Sequence, residues 1–252
     1  DAPKTCHLLS LPGAKERLRL FKADLSEDGS FDAAINGCEG VFHLAMPLLF
    51  HSQNPEEEIF DPAIKGTINV LKACVKAESV RRVVYTSSIS TVSGRDEDGK
   101  SKQSVDETCW VSVDHIQDLK PSGWMYVVAK TVAEKAALKF AKEHNIDMVT
   151  IIPVTVVGHF LTSTVPTSIQ VLMSLITGDA KFYGVAKAVE TRLGCLPIVH
   201  IEDICNAHIF LMDHHLQQIT GERYICSAHS CTISNLKCFL SQRYSDLDQK
   251  NT

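Results

Sequence analysis

Tyr126 and Lys130 stand four residues apart in the run GWMYVVAKTVAEKAALKFAKEHNID, residues 123–147. On a helix, that spacing puts both side chains on one face. A nearby ammonium favours a phenolate, so the pair predicts a tyrosine whose pKa is lowered from about 10 toward the working range. Such a phenol can give a proton to a carbonyl oxygen or take one from an alcohol. Thirty-eight residues before Tyr126, the run RRVVYTSS (81–88) ends in three small hydroxyl residues, Thr86, Ser87 and Ser88. A hydroxyl there could hold a carbonyl oxygen and stabilise its developing charge. Reducing that carbonyl needs a hydride, which no side chain supplies and a cofactor must. Tyr-x-x-x-Lys alone is a weak signal; the Ser pair and the surrounding pattern of elements strengthen it.

These residues need a scaffold, and the chain alternates short apolar runs with longer helical patterns. RLRLFKADL (17–25) alternates with period two, and SFDAAING (30–37) reads as a short helix stopped by Gly37. GVFHLA (40–45) reads as a strand, as do 81–88 and the apolar 147–158. Residues 61–80 have helical periodicity, with Asp61 as N-cap and Pro62 in the first turn. Residues 89–122 read as a long polar loop, followed by a helix over 124–143. Beyond lie a helix near 167–177, a short strand before His200, a helix over 202–213, a strand at 223–227 and a helix near 232–243. This alternation predicts a doubly wound, mostly parallel α/β sheet. Ligands of such sheets bind at the carboxyl ends of the strands. The residues to inspect are therefore Asp24-Leu25, Ala45-Met46-Pro47, Thr86-Ser87-Ser88 and Pro153 to Val156.

Bulk properties narrow the classes. The 252 residues are 44% hydrophobic and 22% charged, enough for a sizeable core, and the net charge of −5 argues against nucleic acid or an anionic membrane as partner. The longest apolar stretch, 148–161, is too short to span a bilayer and is interrupted by Pro153 and Gly158. No apolar signal segment opens the chain, and nine scattered cysteines without a CxxC point to a reducing, cytoplasmic setting. CSAHSC (226–231) fits no standard zinc spacing, so no metal is expected.

With these residues in view, the sequence resembles the extended short-chain dehydrogenase/reductases. Within them it is similar to the plant dihydroflavonol 4-reductase group, whose relatives include vestitone reductase and anthocyanidin reductase. The segments LPGAKERLRLFKADL, GVFHLAMP, VRRVVYTSS, GWMYVVAK, TIIPVTVVG, VHIEDICNAHIFL and GERYICSAHS carry the likeness over nearly all of residues 1–244. The resemblance implies an NADPH-dependent reductase of a ketone on a flavonoid or related phenolic. It assigns catalysis to Ser88, Tyr126 and Lys130, with Tyr126 as the acid and Lys130 also reaching the nicotinamide ribose. Asp24 and Leu25 match the pair at the adenine, and Leu44, Ala45 and Met46 the strand end under the cofactor. Pro153, Val154, Thr155 and Val156 match the segment beside the nicotinamide. Ser168 matches a further cofactor contact, and Lys4 a lysine that reaches the 2′-phosphate. Ser88, Ser93 and Tyr126 would meet the substrate.

The chain also departs from the family. The glycine-rich strand–turn–helix that binds the pyrophosphate is not in this sequence, whose only GxxG is GCEG (37–40), before a strand. The expectation is a dinucleotide-binding domain over 1–158 without its first βαβ unit. A partial substrate region follows over 159–252, with 196–213 packing back on the first domain. Ser93 stands where the group often has Asn or Asp, Met46 where it has Thr or Ser, and His159 where it has Pro. The stretch 184–200 is longer than in the dihydroflavonol reductases. These changes open the substrate to other phenolic ketones, such as an isoflavanone. The alternative reading is a catalytically incompetent isoform or fragment acting as an interaction partner.

Overall fold

The computed structural model describes residues 2–47, 52–94, 102–213 and 223–243, with side chains from Thr5 onward. Its centre is a four-stranded, wholly parallel sheet built from β1 (Gly40–His43), β2 (Arg82–Thr86), β3 (Met148–Pro153) and β6 (Arg223–Cys226), in that spatial order. Val83 pairs with Val41 on one side and Met148 on the other; in this register β1 ends level with Tyr85 and Thr150, and β3 runs on to Pro153. β2 and β3 are buried along nearly their whole length, as strands covered on both faces must be.

Alternation along β2 sorts its side chains between two layers. Val83 and Tyr85 face the helices α4 (Asp61–Ala77) and α6 (Trp124–Glu143), in a core shared with Leu71, Val70 and Ala137. Val84 points the other way, to Val149, Ile151 and Leu211, where α9 (Ile201–Met212) covers the sheet. Three short helices occupy the first forty residues, α1 (Ala2–Leu9), α2 (Ala14–Arg17) and α3 (Asp32–Ile35). Beyond α6 come α7 (Thr167–Thr177), α8 (Ala180–Leu193) and α10 (Ile233–Arg243).

A second sheet of three strands holds β4 (Thr155–Val157), β5 (Leu196–His200) and β7 (His229–Cys231). β4 and β5 run parallel and β7 antiparallel to β5. A single residue, Val154, separates β3 from β4, so the apolar run 147–158 serves two sheets. The chain then returns to the first sheet as β6 and leaves it again as β7.

Several expectations need correction. Residues 18–24 belong to neither sheet, and Leu20 and Phe21 are exposed. Period-two alternation makes a strand only where a neighbouring edge is offered. Asp61 caps nothing: a π-helical turn over Glu56–Phe60 runs straight into α4, and Asp61 has helical backbone angles. The region 89–122 is not all loop. It contains a 3₁₀ turn at Ile89–Thr91 and a helix, α5 (Val113–Leu119), whose start Ser112 caps by accepting from the His115 N–H. The helix α8 and the strand β7 were also not expected. Asp179 caps α8 by accepting from the N–H groups of Lys181 and Phe182.

Candidate active site

The site is built where β2 ends. Thr86, Ser87 and Ser88 leave the sheet in succession, and each is tied to a different element. The Lys130 Nζ donates to the Thr86 carbonyl oxygen at 2.9 Å, while the Thr86 Oγ1 lies 2.8 Å from Nε2 of His208 on α9. Nδ1 of that His lies 2.8 Å from the Ile204 carbonyl, which can only accept. Nδ1 therefore carries the proton, and Nε2 accepts from the Thr86 hydroxyl. The Ser87 Oγ donates to the carboxylate of Glu134, and its N–H to the Ile151 carbonyl at 2.8 Å. Ser88, in extended backbone, caps the 3₁₀ turn by accepting from the Ser90 N–H and shares a side-chain hydrogen bond with Tyr126.

α6 makes this possible through two stripes of side chains. Ala129, Ala133 and Ala137 are fully buried, and the first two share a core with Ala63 of α4. With no side chain beyond Cβ they let the two helices approach closely. Tyr126, Lys130 and Glu134 form the second stripe, one turn apart, and Lys130 and Glu134 grip successive residues of the β2 exit. Ser88, Tyr126 and Lys130 thus stand together at the carboxyl end of the parallel sheet.

Electrostatics at the site differ from expectation in one respect. Burial pushes the Tyr126 phenol above its ordinary value, and the Ser88 hydrogen bond only partly offsets this. The expected lowering by Lys130 does not set the direction: the shift comes from desolvation of the phenolate, with the Ser88 hydrogen bond opposing it, and the ammonium is engaged with the Thr86 carbonyl. Tyr126 therefore carries its proton at neutral pH, as a proton donor must. Burial brings Lys130 down to about 8, with the Glu134 carboxylate opposing the fall.

The remaining candidate residues fall in several places. Leu44 and Ala45 form an exposed ledge just past β1, Leu44 at 59%, with Met46 half-buried beside it. Pro153 and Val154 are buried at the end of β3, with Thr155 and Val156 half-buried in β4. Because β1, β2 and β3 are parallel and adjacent, these two segments flank the Ser88 turn. Leu25 sits against α4 instead, with the exposed Asp24 just before it. The Leu25 carbonyl accepts from Asn69 Nδ2 at 2.9 Å, and hydrogen bonds from Ser26 hold the exposed Asp24 carboxyl below its usual value. Ser168 is half-buried in the first turn of α7. Ser93 is buried where Arg192 Nε donates to the Val92 carbonyl at 3.2 Å and the Gly94 N–H to the Arg192 carbonyl at 3.1 Å. Lys4 falls in α1, and its side chain lies outside the described residues. Cys226 ends β6, while His229 and Cys231 lie in β7.

For a dinucleotide, these residues fit one half. The exposed Leu44–Ala45 ledge, the Pro153–Val156 segment and the Lys130 ammonium suit a flat ring and a ribose at the sheet end. Among the described residues, no glycine-rich turn joins a strand to a helix N-terminus where a pyrophosphate would rest. Sequence reasoning missed the supports of the site: Glu134, Arg223 and His208. Glu134 continues the four-residue spacing of 126 and 130, which could have revealed it; nothing local marks the other two.

Against known proteins, the family model described as "NAD dependent epimerase/dehydratase family" matches residues 6–227. A putative anthocyanidin reductase of Ginkgo biloba is 51% identical over 241 residues, covering 96% of this chain and 69% of the relative. A dihydroflavonol 4-reductase of Zea mays is 44% identical over 245 residues, covering 97% of this chain and 65% of the relative. The crystal structure of vestitone reductase from alfalfa (Medicago sativa) superposes with a TM-score of 0.77 at 37% identity, covering 97% of this chain and 74% of that one. The chain thus spans roughly two thirds of the length of the two relatives matched by sequence.

Proposed function

Since the chain belongs to the NAD dependent epimerase/dehydratase family, we propose that it works as an NADPH-dependent reductase of a ketone on a flavonoid or related phenolic, in the cytoplasm. The observation that carries the reading is the hydrogen bond joining Ser88 to Tyr126 at the sheet end, with the Lys130 ammonium one helical turn along. The names borne by the similar proteins, all reductases of flavonoid-type compounds, support the substrate class.

A nicotinamide cofactor, when bound, supplies the hydride that a carbonyl carbon accepts. The chain's own part is acid catalysis and orientation. A ketone oxygen between Ser88 and Tyr126 would receive two hydrogen bonds, and the protonated phenol is the group that can give up its proton. Ser88 fixes the oxygen in line with that proton. Lys130 places a positive charge next to the phenolate left behind, which stabilises it. The ledge at Leu44–Met46 and the Pro153–Val156 segment would hold the cofactor ring, and Ser93 would face the phenolic rings. The choice of NADPH over NADH rests on Lys4.

One observation favours the second reading, a catalytically silent interaction partner: the described residues offer no cradle for the pyrophosphate. NADPH fluorescence titration separates the two. Saturable binding together with NADPH oxidation on adding a dihydroflavonol or isoflavanone supports the reductase. A folded chain that shows no saturable NADPH signal overturns it.

A further inference from the structure

Glu134 and Arg223 form a buried ion pair that the proposed chemistry does not use. Glu134 is fully buried, and Arg223 Nε donates to its Oε1 at 2.8 Å. The other carboxylate oxygen accepts from Ser87. Arg223 is itself immobilised: Nη1 donates to the Glu107 carbonyl, Nη2 donates to Thr91 Oγ1 at 3.1 Å, and the guanidinium stacks 3.6 Å over the Trp110 ring. The Glu107 side chain closes the ring by accepting from the Ile225 N–H. Replacing a buried pair of this kind by apolar residues is often neutral or stabilising, so stability alone is a weak reason for it.

Its position suggests another role. Glu134 follows Lys130 by one helical turn, and both are buried on the same stripe of α6. Lys130 holds the Thr86 carbonyl and Glu134 holds the next residue's hydroxyl. The charged and titratable groups around the Lys130 ammonium are few. From β1 comes His43, buried and held neutral with its pKa near 4; from β2 comes Tyr85, whose ring centre lies 5.6 Å from Nζ. From α6 itself comes Glu134, whose charge acts on the ammonium, with Tyr126 one helical turn back. Glu134 is the anion in that set, and Arg223 anchors it.

We propose that Glu134 is the positioning residue for Lys130: its carboxylate, fixed by Arg223, keeps the Lys130 side chain a cation at the end of β2. The inference rests on the reductase reading for its catalytic meaning, but not for its test. The site needs a buried ammonium beside a phenol, and burial alone drives an ammonium to lose its proton. A carboxylate one turn away opposes that loss.

The test begins without cofactor, on the full chain. Lys130 is titrated by NMR of isotopically labelled lysine, assigned with Lys130→Arg, in the wild type and in Glu134→Gln. The wild-type midpoint is expected near 8, and the variant midpoint lower by about 1 pH unit, the smaller end of what one close opposite charge does. An unmoved midpoint in folded Glu134→Gln overturns the proposal. Should that variant fail to fold, Glu134→Gln/Arg223→Gln removes both charges and is read the same way. In turnover assays the alkaline limb of kcat should move down by as much as the lysine midpoint, with KM for the ketone little changed. A fall in kcat with the limb in place would make the pair merely structural and sink the idea. A wild type that reduces no ketone would defeat the reductase reading, and the NMR titration would still decide the role of Glu134.

Discussion

At the residue scale, Tyr126 is the acid we propose for the site, and its environment settles in which form it waits. Burial keeps the phenol protonated, a hydrogen bond ties it to Ser88, and Lys130, one turn along the helix, is held on the Thr86 carbonyl. Tyr126→Phe removes only the hydroxyl and leaves the ring's packing. It is expected to lower kcat by about 10²–10⁴-fold, the usual contribution of a positioned acid, with NADPH affinity little changed. Steady-state kinetics beside a fluorescence titration would check both halves. The pair at 126 and 130 was legible in the sequence from spacing alone. The direction of the tyrosine's shift was not, because spacing reports a neighbouring charge and says nothing of how much water the fold removes.

At the scale of elements, α6 is the part on which the site depends. Its alanine stripe sets its distance from α4, and that distance decides whether Lys130 and Glu134 reach the β2 exit. Ala133 is fully buried in the core it shares with Ala63. Ala133→Leu should therefore destabilise the fold by about 1–3 kcal/mol through overpacking. Denaturant unfolding would measure that loss. Turnover should fall even where the variant remains folded, because a displaced α6 misplaces both side chains. Long periodic helices such as α6 and α7 could be read from the sequence, since a buried stripe leaves a regular apolar spacing. α5 and α8 could not be read that way, although Ser112 and Asp179 stood at their starts as capping residues. The run 18–24 has the alternation of a strand, but ladder formation depends on a partner edge, which no local pattern encodes.

At the scale of the whole molecule, buried ionisable groups shape how stability responds to acid. His43 is buried against the Tyr85 ring, 5.3 Å between centres, and its Nε2 has no hydrogen-bond partner. Burial lowers its pKa from 6.5 to about 4. Between those values the unfolded chain takes up a proton that the folded chain refuses. Stability is thus unaffected by this group above pH 6.5 and is lost as pH falls toward 4. The full loss is on the order of 3 kcal/mol at 1.36 kcal/mol per pH unit. In His43→Gln that part of the acid limb should flatten, as thermal melts between pH 4 and 7 would reveal. The four-stranded order was within reach of sequence reading, since each of its strands was expected. The division of labour between two sheets was not, because one apolar run supplies both β3 and β4.

That interleaving has a practical side. The polypeptide visits the first sheet, moves to the second, comes back as β6 and departs as β7, so neither sheet corresponds to a continuous stretch of sequence. A protease that nicks the exposed segment 159–165 should not release two separable lobes. Sizing under native conditions is expected to give the mass of the uncut protein, and only a denaturing gel should show two bands.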